Sequence, residues 1–278
     1  MTDPRQASTI LLVRDAHSPG RGVEVFMEKR NVKSGFVGGA YVFPGGRVDP
    51  ADAIDPGRCT DLDDATASRR LSLDSGGLAH YVAAVRECFE EAGVLLAYDR
   101  SGTILDFGDP AVDQHFRQLR DQLNAGTISL QDIAERENLR LATDRIAYWS
   151  HWITPVNEPR RYDTRFFVTR APDRQLAAHD NWELTSSAWV TPQEAIDRAL
   201  RREWMIIFPT FKNLLNLTLH PTADAVMEWA AAQTIPLPAN LPKAFRGRVV
   251  LPGDEGYDLA ADDLSTVDRD AFERSLLP

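Results

Sequence analysis

Leu78-Ala79-His80-Tyr81-Val82-Ala83-Ala84-Val85-Arg86-Glu87-Cys88-Phe89-Glu90-Glu91-Ala92-Gly93 reads as one amphipathic helix around which the rest of the chain is organised. At about 100° per residue, Leu78, Val82, Val85, Phe89 and Ala92 share one arc, while Glu87, Glu90 and Glu91 fall nearly opposite. Gly93 supplies the stop. Carboxylates at i, i+3 and i+4 repel by a few tenths of a kcal/mol per pair, a cost that a divalent cation would remove. Taken alone, the pattern fits a solvated helical face better than a metal site. His80 projects to the glutamate side, about two turns ahead of Glu87, and reads as an exposed helix histidine.

Upstream of the helix, Ser8–Arg14 is a short β-rich run and Val23–Arg30 alternates apolar with polar residues, so the two read as neighbouring strands. Tyr41-Val42-Phe43 is a brief strand running into Pro44-Gly45-Gly46, which reads as a sharp turn whose glycines allow close backbone approach. From 47 to 77 the composition shifts to Asp, Ala, Ser, Pro and Gly. A stretch of that length reads as an insertion or lid between the turn and the helix.

Downstream, Val94–Tyr98 reads as a buried strand leaving the helix, and residues 109–137 carry helical patterning in two pieces. Ile146–Thr154 and Arg160–Thr169 return to strand patterning, as does Ser187–Val190. Thr191 is an N-cap with Glu194 three residues on. Helices are expected over 195–203, 210–219 and 222–233. Pro236, Pro238 and Pro242 then force an extended connector, and Arg248–Pro252 is a last strand or arm. The expected architecture is an α/β (α+β) sandwich around a mixed sheet. Residues 1–235 form one domain, with a helical insertion at about 109–137, additional C-terminal helices and an extension over 236–278.

The 278 residues are 43% hydrophobic and 26% charged, in the range of ordinary globular chains. A formal net charge of −10 argues against a nonspecific nucleic-acid partner, because counterion release needs a basic surface. Cys59 and Cys88 form no C-x-x-C pair, so neither a disulfide framework nor a zinc site is indicated. No apolar run approaches the ~20 residues needed to span a bilayer, and none at the N-terminus has signal-peptide character. A cytoplasmic setting without a membrane partner is expected.

Gly45-Gly46, a long gap and then Arg86-Glu87-Cys88-Phe89-Glu90-Glu91-Ala92-Gly93-Val94 resemble the signature of the Nudix hydrolases. That signature is a glycine, five residues, a glutamate, seven residues, then Arg-Glu-aliphatic-x-Glu-Glu-x-Gly-aliphatic. Its second half matches at Arg86, Glu87, Glu90, Glu91, Gly93 and Val94, with Cys88 in place of the aliphatic. Its first half departs: 39 residues separate Gly46 from Arg86 where the signature has 13. Counting back from Arg86, its first glutamate falls on Leu78. Asp49 or another carboxylate of the insertion is what could substitute. The insertion, together with Phe43-Pro44-Gly45-Gly46, Trp152-Ile153-Thr154-Pro155 and Arg161–Phe167, resembles the branch of peroxisomal coenzyme A diphosphatases and their bacterial relatives.

The resemblance implies a Nudix-type α/β/α sandwich and hydrolysis of the pyrophosphate of a nucleoside diphosphate derivative, with coenzyme A or an acyl-coenzyme A favoured. It implies Mg²⁺ or Mn²⁺ on Glu87, Glu90 and Glu91, a donor set suited to hard cations. Arg86 would orient the carboxylates, and Gly45 and Gly46 would present backbone to the metal and pyrophosphate. Glu183 is the candidate general base or extra ligand, with Asp180 behind it. Arg30, Arg161 and Arg165 could neutralise phosphates, although surface charge is the default for each. Trp149, Trp152, Phe166 and Phe167 could stack on a base, but in strands such residues more often build core. The rivals are a catalytically silent nucleotide-sensing module and a Nudix pyrophosphatase for NADH, ADP-ribose or a dinucleoside polyphosphate. A homodimer is left open.

Overall fold

Successive residues of β1 (Arg5–Asp15) face opposite sides, and both sides are apolar: Ile10 and Leu12 belong to one core, Leu11 and Val13 to the other. That double burial makes β1 the centre of a two-sided sandwich. The computed structural model describes residues 3–17, 22–31, 38–175, 177, 184–233, 237–264 and 267.

Around β1 the sheet contains β2 (Val23–Arg30), β3 (Tyr41–Val42), β4 (Gly45–Arg47), β7 (Ala147–Ile153), β8 (Tyr162–Arg170), β9 (Leu184–Val190) and β10 (Ala239–Asn240). The order is β10-β7-β8-β1-β2-β3, with β4 also on β1 and β9 also on β2. β1 runs parallel to β8, and β10 parallel to β7; the other pairs are antiparallel, so the sheet is mixed. Two small ribbons lie outside it: β5 (Ala97–Tyr98) with β6 (Arg140–Leu141), and β11 (Lys243–Phe245) with β12 (Arg248–Val250).

One face carries α1 (Asp64–Leu71), α2 (Gly77–Glu87), α3 (Pro110–Asn124) and α4 (Leu130–Arg136), whose Leu71, Val85, Phe116 and Ile133 share a core with Ile10 and Phe26. The other face carries α5 (Pro192–Leu200), α6 (Phe208–Leu217) and α7 (Ala223–Ala231), with Ile196, Phe211 and Val226 packed beside Leu11, Val25 and Trp149. Thr191 caps α5 as its sequence suggests, accepting a bond from the Glu194 amide at 3.2 Å. Among the described residues no helix is long and apolar enough to cross a membrane.

Four expectations change. Gly45 and Gly46 are strand residues of β4, paired with Thr9 and Ser8, and not a turn. The stretch 47–77 is no lid: two single 3₁₀ turns and α1 pack it against α2. Of Val94–Tyr98 only Ala97–Tyr98 is strand. The Leu95 amide donates to the Gln175 side chain at 2.9 Å, and Gln175 returns a bond to the Leu95 carbonyl at 3.1 Å. That buried glutamine satisfies backbone groups that a ladder would otherwise take. Finally, the proline-rich connector contains a two-residue strand, β10, at the sheet edge.

Candidate active site

The helix that carries the glutamates is held at both ends by segments far away in sequence. Gly76, its N-cap residue, has no side chain to bond the first free amides, and Asp64 of α1 does so instead, accepting from Gly76 and Leu78 at 3.0 Å each. The Gly77 amide donates to Ser68 Oγ at 2.9 Å. A Cβ on Gly77 would collide with the α1 backbone at Ala67 and Ser68, so the two helices meet there only because the residue is glycine. Past Glu87 the backbone widens into one π-type turn, Cys88–Ala92, and stops at Gly93 with φ +71°. Two carbonyls of that turn are capped by Arg120 of α3, whose Nε donates to Glu90 O at 2.9 Å and whose Nη2 donates to Glu91 O at 2.5 Å.

Arg86 is the hub of the acidic side. Its Nη1 donates to Glu87 Oε1 at 2.8 Å and to Glu90 Oε2 at 2.7 Å. Its Nε and Nη2 take Asp52 side-on at 2.7 and 3.1 Å, and Nη2 also donates to the Arg47 carbonyl at 2.9 Å. Burial opposes the guanidinium charge, but the Asp52 bond and the fields of Glu87, Asp52 and Glu90 outweigh it, and its pKa is raised. Asp52, 1% exposed, is itself fixed by accepting from the Asp49 amide at 2.7 Å. It is the insertion's carboxylate on the helix arginine. Asp49, the residue named from the sequence, instead caps the 3₁₀ turn that presents Asp52.

Glu87 and Glu91 are each only 8% exposed, although a solvated helical face was the simpler sequence reading. Burial, with the fields of Glu90 and Asp52, lifts the Glu87 pKa to about 7 against the pull of Arg86. Glu91 is raised well above its ordinary value by burial and by the charges of Glu28 and Glu87, against the Gly45 amide and Arg30. The Gly45 amide donates to Glu91 Oε2 at 2.7 Å. A Cβ on Gly46 would strike the Glu87 carboxylate, and one on Gly45 would meet Thr9 Oγ1 at 2.5 Å. The glycine pair therefore serves close approach within a strand.

These carboxylates line a cavity of about 1110 Å³ together with Gly45, Gly46, Arg30, Arg5 and Arg47. Of the sequence candidates, Glu87, Glu90, Glu91, Gly45, Gly46 and Arg30 come together there. Arg86 lies beneath and lines a smaller neighbouring pocket of about 470 Å³ with Glu87, Glu90 and Asp49. Arg161 does not line the large cavity; its Nε donates to the carbonyls of Thr154 and Pro155, which do. Glu183 and Asp180 lie outside the described residues.

Arg165 is no surface charge: it is 3% exposed, with Nη1 2.8 Å from Asp163 Oδ1 and 2.6 Å from Gln6 Oε1. His80 likewise is buried at 3% exposure, its Nδ1 3.2 Å from Ser8 Oγ, because α2 lies flat on β1 at that point. Trp149 and Phe167 are core, whereas Trp152 and Phe166 show an edge to the cavity. Sequence reading missed Asp52, Arg120 and Glu28. For Glu28 a signal exists, since in a strand it shares a face with Phe26 and Arg30, and that face meets α2.

The donor set fits a hard divalent cation. Burial and the neighbouring carboxylates oppose ionisation of Glu87 and Glu91, a penalty that a bound cation would offset, and oxygen-only ligands suit Mg²⁺ or Mn²⁺. Among the described residues no three such side chains already converge on a common point. Arg86 engages Glu87 and Glu90 in this arrangement.

Comparison with known proteins gives a consistent picture. The profile of the NUDT19 Nudix domain matches residues 56–217. The acyl-coenzyme A diphosphatase NUDT19 of Gallus gallus is 28% identical over 91% of this chain and 79% of its own. That of Xenopus laevis is 29% identical over 70% of this chain, and the match spans 59% of the frog protein. Among solved structures, a Nudix hydrolase from Alicyclobacillus acidocaldarius superposes with a TM-score of 0.61 at 27% identity, covering 82% of this chain and 97% of that one.

Proposed function

Since the chain belongs to the NUDT19 branch of the Nudix hydrolase family, we propose that it hydrolyses the diphosphate of coenzyme A or an acyl-coenzyme A, with Mg²⁺ or Mn²⁺ on Glu87, Glu90 and Glu91. The observation that carries this reading is that those three glutamates line one cavity together with arginines and the glycine strand. The vertebrate relatives named above as acyl-coenzyme A diphosphatases support the substrate class.

Hydrolysis here means that a water oxygen bonds to one phosphorus while the bridging oxygen leaves with the other, giving two phosphomonoesters. The bound cation would polarise a phosphoryl oxygen and lower the pKa of a water. Arg86 holds Glu87 and Glu90 in register at the cavity wall. The Gly45 amide fixes the orientation of Glu91. Arg30, on the same cavity wall, offers charge-assisted bonds to a phosphate. Glu90 or Glu183 takes the proton from the attacking water.

The test is a product-resolved hydrolysis screen with Mg²⁺ and with Mn²⁺, over coenzyme A, acyl-coenzyme A, NADH, ADP-ribose, diadenosine polyphosphates and nucleoside triphosphates. Coenzyme A or its thioesters should be cut best, and E90Q should abolish the reaction. Tight nucleotide binding without turnover would instead identify a sensing module, and preference for another nucleotide would move the assignment within the superfamily.

A further inference from the structure

Besides the carboxylates, arginines and glycines, the cavity is lined by Trp152 and Phe166 of the sheet, Ile206 and Phe208 at the start of α6, and Pro242 and Leu264 from the C-terminal arm. The arm is built to stay there. β10 extends the sheet beside His151 and Trp152, and Asn240 Nδ2 donates to the His151 carbonyl at 3.0 Å. The β11–β12 ribbon is tied to the following segment by paired backbone bonds between Ala244 and Ala261 at 2.7 and 2.8 Å. Tyr257 donates to the Leu241 carbonyl at 2.9 Å, and Leu264 and Val267 pack on the apolar core that α6 and α7 share. The arm lies beyond the residues that match the family profile.

We propose that Leu264 and Pro242 close an apolar compartment that receives the acyl group of a thioester substrate, and that Leu264 sets the chain length accepted. The proposal rests on the reading of the chain as a diphosphatase of coenzyme A derivatives. A cavity of about 1110 Å³ is at or beyond the upper end for pockets that bury a drug-sized ligand, roughly 300–1,000 Å³, so it has space for more than a diphosphate. These six side chains offer carbon, apart from the indole N–H of Trp152, which is already donated to Ser150 at 3.1 Å. A base edge would find no partner among them. An alkyl chain needs none, and each methylene removed from water there favours binding.

The experiment measures kcat/KM of the full chain for free coenzyme A and for its acetyl, butanoyl, hexanoyl, octanoyl and dodecanoyl thioesters. Wild type should show kcat/KM rising with chain length to a limit. L264W should shorten that limit and lower the octanoyl-to-free ratio on the order of tenfold, and L264A should shift the limit to longer chains. A flat wild-type profile overturns the proposal whatever the variants do, and so does an unchanged ratio in variants that melt like wild type. Failure to cut any coenzyme A derivative would instead overturn the parent reading.

Discussion

Asp52 and Arg86, 34 positions apart, form a side-on pair with contacts of 2.7 and 3.1 Å inside the acidic site. Leu78, where the signature's first glutamate would fall, is 5% exposed. Leu78 packs in the core, and the insertion brings a carboxylate to the helix arginine from the side. The same Arg86 holds Glu87 and Glu90, so Asp52 governs two candidate ligands without facing the cavity itself.

Replacing Asp52 with Ala should therefore damage catalysis more than substrate binding. Removing one member of a buried pair costs about 3–5 kcal/mol when the other charge is left uncompensated. Arg86 keeps Glu87 and Glu90 as partners, so the stability loss should fall below that range. A misplacement of about 1 Å in the glutamates is enough for a loss on the order of 100-fold in kcat. KM should change little, and D52E should restore much more activity than D52N. Steady-state kinetics with a melting curve for each variant decide it; equal losses for D52E and D52N would show that charge geometry is not what Asp52 supplies.

Arg120 gives a second long-range dependence. Its guanidinium caps the Glu90 and Glu91 carbonyls at the C-terminal end of the glutamate helix, where a cation also meets the negative end of the helix dipole. R120A should lower the unfolding free energy by about 2 kcal/mol and loosen Glu90 and Glu91. Hydrogen exchange should rise at 88–94 before it rises in β1; protection unchanged there would rule the capping role out.

The adjacent glycines should respond differently to one methyl group. At Gly45 the added carbon meets Thr9 Oγ1 and the Ser8 carbonyl, which belong to the central strand. Backbone there has nowhere to go, so G45A should cost about 1–3 kcal/mol of stability. At Gly46 the obstacle is the end of the Glu87 side chain, which can turn away. G46A should keep its melting temperature while losing kcat on the order of 100-fold and metal affinity with it. Thermal melts beside metal titrations distinguish the two outcomes, and a stability loss shared equally by both variants would contradict the geometry.

What the sequence disclosed follows its periodicities. Double-sided strand β1, alternating β2 and the helix of Leu78–Gly93 are regular repeats, and their positions are close to those expected. The glutamate cluster and the glycine pair were legible for the same local reason. Asp52, Arg120 and the Asp64 cap were not, because each acts on α2 from another element, and nothing in residues 47–77 marks which of its carboxylates turns inward. The glycine pair was read as a turn because glycine looks the same in sequence whether it serves a positive φ or close packing. His80 shows the limit of helical projection: a position opposite the apolar arc is buried all the same, because the central strand β1 lies against it at Ser8.

His80 also makes a prediction about pH. Burial, reinforced by Arg165, pulls its pKa down from 6.5 to about 4 against the field of Asp163. A histidine with a depressed folded pKa is neutral in the native state where the unfolded chain would already be protonated. Its contribution is thus fully present above pH 6.5, is lost progressively as pH falls from there, and is gone near pH 4. At about 1.4 kcal/mol per unit the loss amounts to at most about 3 kcal/mol. Glu87, raised to about 7 by burial, works in the opposite direction over part of the same window. Asp163, held near 2 by His151 and Arg165 despite its burial, acts only at lower pH. The difference between wild type and H80Q isolates the histidine, since glutamine can keep a bond to Ser8 and cannot ionise. In chelator, urea-unfolding free energies measured from pH 7.5 to 4.5 should fall for wild type relative to H80Q as pH drops. Parallel curves would mean that His80 takes up its proton at the same pH in the folded and unfolded chain.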